Sequence, residues 1–403
     1  MSTSILYHGF GVRQYRYLKT EYREGALIFH MEKCPDKQRC ARCGSRDVIK
    51  KGRFVREMRT LPIGAKRVFL VVHLHRLLCR SCGALKLEPL LVSFPRKRWT
   101  KGLGRYVVEL IKRATVEDVA RHLGMSWDTV KEIHSWALKG KFKRRRITHV
   151  KYLGVDELSV SRGHRYLTIV VDLESGQVVW MAKGRKASSL EPFLRRLKRV
   201  GARIEAIAMD MWPAYITAVL KYYSYTVIVF DRYHIISDYN NVLDELRRQE
   251  AAAAPKSHKD VYQGVRYLLL KASEKIEDGT TARAKLDRLL DLNKNLSIAY
   301  ILKEELRELW SCVSRQEAAH YLYNWFQKAW SSGITSLQKF ADKLVVHRTG
   351  ILNYFNHPIT TGKVEAINNK IKVLKRRAYG YRDMEYFKLR IYFLHESRYA
   401  LVG

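Results

Sequence analysis

The sequence predicts an α/β chain built on a mixed sheet, and three observations carry that prediction. Short apolar runs of β type alternate with helix-type segments between residues 148 and 237. A long stretch rich in Leu, Ala, Lys, Glu and Trp at helical spacing follows over 238–345, with no strand-like run inside it. Before both stand two Cys-x-x-Cys pairs and a helical region containing a glycine turn.

A chain of 403 residues can hold several domains and a sizeable core. Hydrophobic residues make up 47% of it, which excludes a disordered chain. Lys and Arg number 75 against 39 acidic residues, a formal charge of +36 that points to a polyanionic partner. Nucleic acid is favoured because the charge is spread along the whole chain. No apolar run is long enough to span a bilayer. The start, Met1 to His8, lacks the basic-then-apolar pattern of a signal peptide, so a cytoplasmic protein is expected.

Residues 1–33 form an N-terminal segment with Phe10, Tyr15, Tyr17 and Tyr22 but no chemistry of their own. Over 34–95, Cys40, Cys43, Cys79 and Cys82 form two knuckles, each able to grip a metal with two thiolates. β-type runs between them fit a zinc ribbon holding one structural Zn²⁺, a closed site with no open position for catalysis. Cys34, His73 and His75 are the rival ligands.

Residues 96–147 read as a helix-turn-helix and a basic linker. Ala120 permits close helix packing, Gly124 permits the turn, and Leu123, Val130 and Ile133 supply a core. Ser126 N-caps the second helix, which would present Trp127, Asp128 and Lys131 to a major groove, with Ser126 itself expected at the DNA. Arg144, Arg145 and Arg146 end the linker and are expected on backbone phosphates.

Residues 148–237 begin with strands at Tyr152–Val160, His164–Asp172 and Gln177–Ala182, the last two joined by a turn at 174–176. An amphipathic helix, a strand ending at Asp210, another helix and a fifth strand ending at Phe230 follow. Three antiparallel strands, a helix and a strand-helix-strand make a ribonuclease-H-like mixed sheet. Residues 238–345 form an all-helical insertion in it, and 346–403 return to the core as helices.

Asp156 and Asp210 stand on, or at the ends of, strands expected to be neighbours, and Glu365 lies on a later helix. Three such acids can converge to bind two Mg²⁺ or Mn²⁺ ions, the hard cations that carboxylates and phosphates share. Asn369 and Lys372 fall on the glutamate's side of its helix, and Lys375 and Arg376 follow. All four are expected to touch DNA. Glu157 should point to the opposite sheet face. Asp231 and His234 are secondary candidates, with Asp172 a weaker one.

The motifs "YLGVDELSV", "AIAMDMWPAY", "VFDRYHI" and "TGKVEAINNKIKVLKRRAYGYRD", behind a Cys-x-x-Cys pair and a helix-turn-helix, resemble the ISL-three family of bacterial insertion-sequence transposases over residues 34–395. Ala366 stands where glycine is expected after the glutamate; alanine is small and favours a helix. The resemblance implies a DDE transposase whose three acids are Asp156, Asp210 and Glu365. It implies binding to terminal inverted repeats and target DNA, metal-dependent hydrolysis and strand transfer, and a homodimer or larger assembly on double-stranded DNA, in a bacterial cytoplasm near the nucleoid. The rival readings are a non-catalytic DNA-binding regulator and a structure-specific nuclease.

Overall fold

The structure, a computed structural model, describes residues 4–143, 147–161 and 165–397, with the backbone alone at Val160, Ser161 and Arg165. The chain divides into two compact units, Met1–Arg145 with Val373–Gly403, and Arg146–Lys372.

The first unit opens with α1 (Ile5–Phe10), β1 (Tyr15–Arg23), β2 (Ala26–Lys33), β3 (Val48–Arg59), β4 (Val68–Cys79) and β5 (Leu85–Leu87). They form one sheet in the order β1-β2-β4-β3, with β5 also on β4. Every second residue of β4 from Val68 to Leu74 is buried, against Phe29, Met31 and Met58. Residues 15–33 are therefore not a segment apart: β2 pairs parallel with β4, in the sheet that carries the cysteine knuckles. The sequence hid this because β1 is an edge strand with no buried residue, so its pattern lacks an apolar face.

Three helices follow: α2 (Lys101–Ile111), α3 (Val116–Leu123) and α4 (Trp127–Phe142). Thr115 and Asp118 form a reciprocal capping box at the start of α3. Gly124 ends α3 at φ +57°, a left-handed conformation that glycine adopts without cost. Ser126 then caps α4, accepting from Thr129 N at 3.2 Å. Leu103, Val107, Val119, Ala120, Leu123, Val130 and Ile133 close the core between the helices.

The second unit holds β6 (Tyr152–Ser161), β7 (Arg165–Asp172), β8 (Val178–Lys183), α5 (Ala187–Arg199), β9 (Ala206–Met209), α6 (Pro213–Tyr222) and β10 (Val227–Phe230). Its sheet runs β10-β9-β6-β7-β8, with β6, β9 and β10 parallel and β7 antiparallel to both neighbours. This is the ribonuclease-H-like order expected from the sequence.

Six helices follow β10: α7 (Arg232–Ala253), α8 (Arg266–Leu270), α9 (Thr281–Leu292), α10 (Lys294–Glu308), α11 (Arg315–Ser331) and α12 (Thr335–Leu352). Among the described residues no strand interrupts them. They share one apolar cluster with the sheet, running from Val155 and Phe230 through Tyr239 to Trp325 and Phe340. The close approach of α12 to β10 needs Gly350, where a Cβ would collide with the Phe230 ring. Lys303, fully buried in α10, is satisfied by the carbonyls of Leu269 at 2.6 Å and Lys271 at 2.7 Å.

Last come α13 (Gly362–Arg377) and α14 (Met384–Tyr392). Tyr386 of α14 enters the helix-turn-helix core, and its hydroxyl meets the fully buried His134 Nδ1 at 2.8 Å. Among the described residues no helix is long and apolar enough to cross a membrane.

Candidate active site and metal centre

Because β6, β9 and β10 are parallel, their C-terminal ends lie on one edge of the sheet, the usual place for a site in such folds. Asp156 sits on β6, Asp210 follows β9 directly, and Asp231 follows β10. His234 stands in the first turn of α7. One ligand atom each from Asp156, Asp210 and His234 lies within 4.8 Å of the others.

Side-chain alternation along β6 puts Gly154 and Asp156 on the same face. There the first turns of α13 cover them. Val364 packs where a Cβ on Gly154 would be: that Cβ would come within 2.8 Å of Leu173 Cδ2 and nearer still to Val364 Cγ2. One turn on, Asn368 Nδ2 donates to Asp156 Oδ2 at 2.8 Å, while Asp156 Oδ1 accepts from Glu157 N at 2.7 Å. Gly154→Ala is therefore expected to cost about 1–3 kcal/mol through overpacking and to push Asn368 off Asp156. A urea melt measures the loss; an unchanged midpoint would show that α13 yields freely.

The electrostatics follow from the crowding. Burial, then the charge of Asp210, pushes the Asp156 carboxyl up to about 6, against the opposing effects of the Glu157 N–H and His234. Burial disfavours a charged His234. Its contact with Asp210, 2.9 Å from Nε2 to Oδ1, and the nearby Asp156 and Asp231 outweigh burial and raise it to about 9. A cationic imidazolium thus sits against two acids, and a divalent ion bound there would compete with it for the same carboxylates.

The other acids divide clearly. Asp231 is buried and accepts from the Thr361 hydroxyl, which ties it to the entry of α13. Asp172 is buried at the end of β7, accepting from Ser175 Oγ and Glu174 N. Glu157 pairs with Arg185 at 3.4 Å. Glu365 is exposed and is not in the cluster of Asp156, Asp210 and His234. The apolar stripe Val364, Ile367 and Ile371 is the buried side of α13, which leaves Glu365, Asn369 and Lys372 on its outer side. Asn368 is the residue the sequence reading missed. Its signal was present, since it falls on the same 3.6-residue stripe as Val364 and Ile371.

In the first unit, the four cysteine sulfurs of the two knuckles also cluster within 4.8 Å. Cys40 and Cys82 Sγ lie 3.7 Å apart, Cys43 and Cys79 Sγ 3.6 Å. A tetrahedral ion at Zn–S distances of about 2.3 Å needs roughly 3.8 Å between sulfurs, so one structural zinc ion fits. Knuckle amides, Cys43 N–H first and then Arg42 N–H, hold the Cys40 thiol down at about 6, ready to bind as thiolate. Cys34, His73 and His75 are outside this cluster.

The candidate DNA contacts are placed as follows. Trp127 is exposed at the start of α4, and Lys131 lies over its ring at 5.2 Å while pairing with Asp383 at 3.0 Å. Ser126 is engaged in capping. Arg376 is exposed and Lys375 half-buried. Arg144, Arg145 and Arg146 lie outside the described residues.

Comparison with known proteins adds the following. A family model described as "Transposase" matches residues 153–391. Models for the "zinc-finger of transposase IS204/IS1001/IS1096/IS1165" and the "Helix-turn-helix domain of transposase family ISL3" match 36–82 and 95–133. The transposase for insertion sequence element IS1001 of Bordetella parapertussis is 34% identical over 389 residues, 96% of this chain and 95% of that one. The transposase for IS1557 of Mycobacterium tuberculosis (strain ATCC 25618 / H37Rv) is 28% identical over 376 residues, 86% and 83% of the two chains. Among solved structures, the Drosophila P element transposase strand transfer complex aligns with 73% of this chain and 92% of that one, at 10% identity and a TM-score of 0.41.

Proposed function

The chain belongs to the ISL3 family of transposases, and we propose that Asp156 and Asp210 form the centre at which it cuts and joins DNA. The single observation behind this is the convergence of two half-buried carboxylates and His234 within 4.8 Å on a sheet whose three strands β6, β9 and β10 run parallel.

The residues suit a divalent metal. Two acids crowd together where one carboxyl is already held up by burial and by its neighbour, and a cation relieves both effects. Asp156 and Asp210 would hold Mg²⁺ or Mn²⁺, with Glu365 as the third carboxylate and His234 its rival. The ions, two in the full site, would supply an activated water and a stabilised leaving oxygen. Asn368 fixes the orientation of Asp156 through its amide. His234 holds Asp210 in place through its Nε2. Asp231 anchors Thr361 and so sets where α13 begins.

In the other unit, Cys40, Cys43, Cys79 and Cys82 would hold the zinc ion that shapes the ribbon. Ribbon and helix-turn-helix together would grip the terminal inverted repeats, with Trp127, Lys131 and the basic end of α13, Lys375 and Arg376, on the duplex. Arg144–Arg146 would add phosphate contacts. Asn369 and Lys372 would touch DNA near the carboxylates. Cutting both ends of one element calls for at least two copies, so a dimer or larger assembly on DNA is expected, beside the nucleoid.

The test uses labelled element-end DNA with a supercoiled target and added Mg²⁺ or Mn²⁺. Joined product is expected. Cut ends without joining would make the protein a structure-specific nuclease, and bound but uncut DNA would make it a regulator.

A further inference from the structure

On the sheet face opposite Asp156, a fixed aromatic–cation stack stands at the edge of the site. Trp212 comes two residues after Asp210 and just before Pro213, which opens α6. Trp212 is 39% exposed. The ring is nonetheless held, because Nε1 donates to Arg185 O at 2.9 Å. The Arg185 guanidinium lies over Trp212 at 5.0 Å and over Tyr166 at 4.6 Å, and reaches Glu157 Oε1 at 3.4 Å.

The loop that carries Arg185 is itself pinned. Thr168 Oγ1 donates to Gly184 O, and Gly184 N donates to Tyr166 O, both at 2.8 Å. Gly184 takes φ +88°, which side chains rarely adopt. Thr168 also meets the Tyr215 hydroxyl at 2.9 Å, so the stack rests on the buried part of α6. A surface tryptophan with its edge bonded, one neighbour cationic and its loop locked is preorganised for a flat, electron-rich partner.

Trp212 is two residues along the chain from Asp210, so a duplex with its scissile phosphate at Asp156 and Asp210 would have its flanking bases within reach of this stack. Enzymes acting on DNA commonly take a base out of the stack and lay it on an aromatic ring, with arginine beside it. We propose that Trp212, steadied by Arg185, stacks on an unpaired base next to the scissile phosphate and so positions the DNA end. Trp212 is then a positioning residue for the reaction. The inference rests on the carboxylate centre proposed above.

The experiment uses the full chain and element-end duplexes carrying 5-iodouracil at the nucleotides on either side of the cleavage point. Irradiation of the complex, without added divalent metal, should crosslink one of these bases to Trp212, as identified by mass spectrometry. No crosslink to Trp212 from either position overturns the proposal, whether or not the protein cuts DNA. In parallel, Trp212→Ala should slow cleavage roughly 10- to 100-fold, Trp212→Phe should restore most of it, and affinity for the ends should hold. On a duplex with an abasic flanking nucleotide, Trp212→Ala and the parent should agree within about twofold. An equal defect on intact and abasic ends would mark a purely structural role and overturn the proposal. If the parent cuts nothing with metal present, the carboxylate reading fails, a result separate from the crosslink.

Discussion

Asp156→Asn is expected to leave the protein bound to element ends and unable to cut them. The change keeps the shape of the side chain; its oxygen can still accept from Glu157 N, its new NH2 can meet Asn368 once that amide turns its oxygen inward, and the charge that would hold a metal is gone. Metal-based stabilisation of a phosphodiester transition state is worth several kcal/mol, so cleavage should fall by at least about 10³-fold. Folding should not suffer, because the variant loses a buried charge that faces Asp210. Gel-shift affinity, a melting curve and a single-turnover cleavage assay together check this. Near-normal cutting would place the chemistry elsewhere. Glu365→Gln run beside it tests the third ligand: a loss as deep as that of Asp156→Asn gives it to the glutamate, and retained cutting moves it elsewhere.

Cys79→Ser is expected to act through the other unit. Cys79 is buried, with its sulfur 3.6 Å from that of Cys43, at the end of the central strand β4. Serine is a poor zinc ligand, and structural zinc contributes roughly 10–16 kcal/mol to the folding of small metal-bound domains. The variant should bind no zinc, by chromogenic chelator assay, and lose at least about tenfold in affinity for element ends. Zinc retained at one ion per chain would show that Cys34, His73 or His75 can complete the site.

These predictions draw on features that were unequally visible in the sequence. The knuckles and the strand aspartates were legible because spacing and alternation state them directly. The helix-turn-helix was legible through Ala120, Gly124 and Ser126, whose packing, turn and cap depend on local chemistry. Asn368 was not legible as a site residue because Glu365 carries the charge on that helix, while the buried stripe decides which side meets β6. The pairing of β2 with β4 was not legible, since parallel strands leave no turn signal between them. Nor was the entry of Tyr386 into the helix-turn-helix core, a contact across 252 residues.

That last contact has a consequence for synthesis. Asp156 waits for Asn368, 212 residues later, and His134 waits for Tyr386. Neither compact unit has all its parts until the ribosome has nearly finished the chain. A product released early keeps the knuckles and the first sheet but lacks a partner for His134 and a cover for Asp156. Contacts this distant along the chain also form slowly. Premature termination should therefore give proteins prone to aggregation and proteolysis rather than dominant-negative competitors for the element ends.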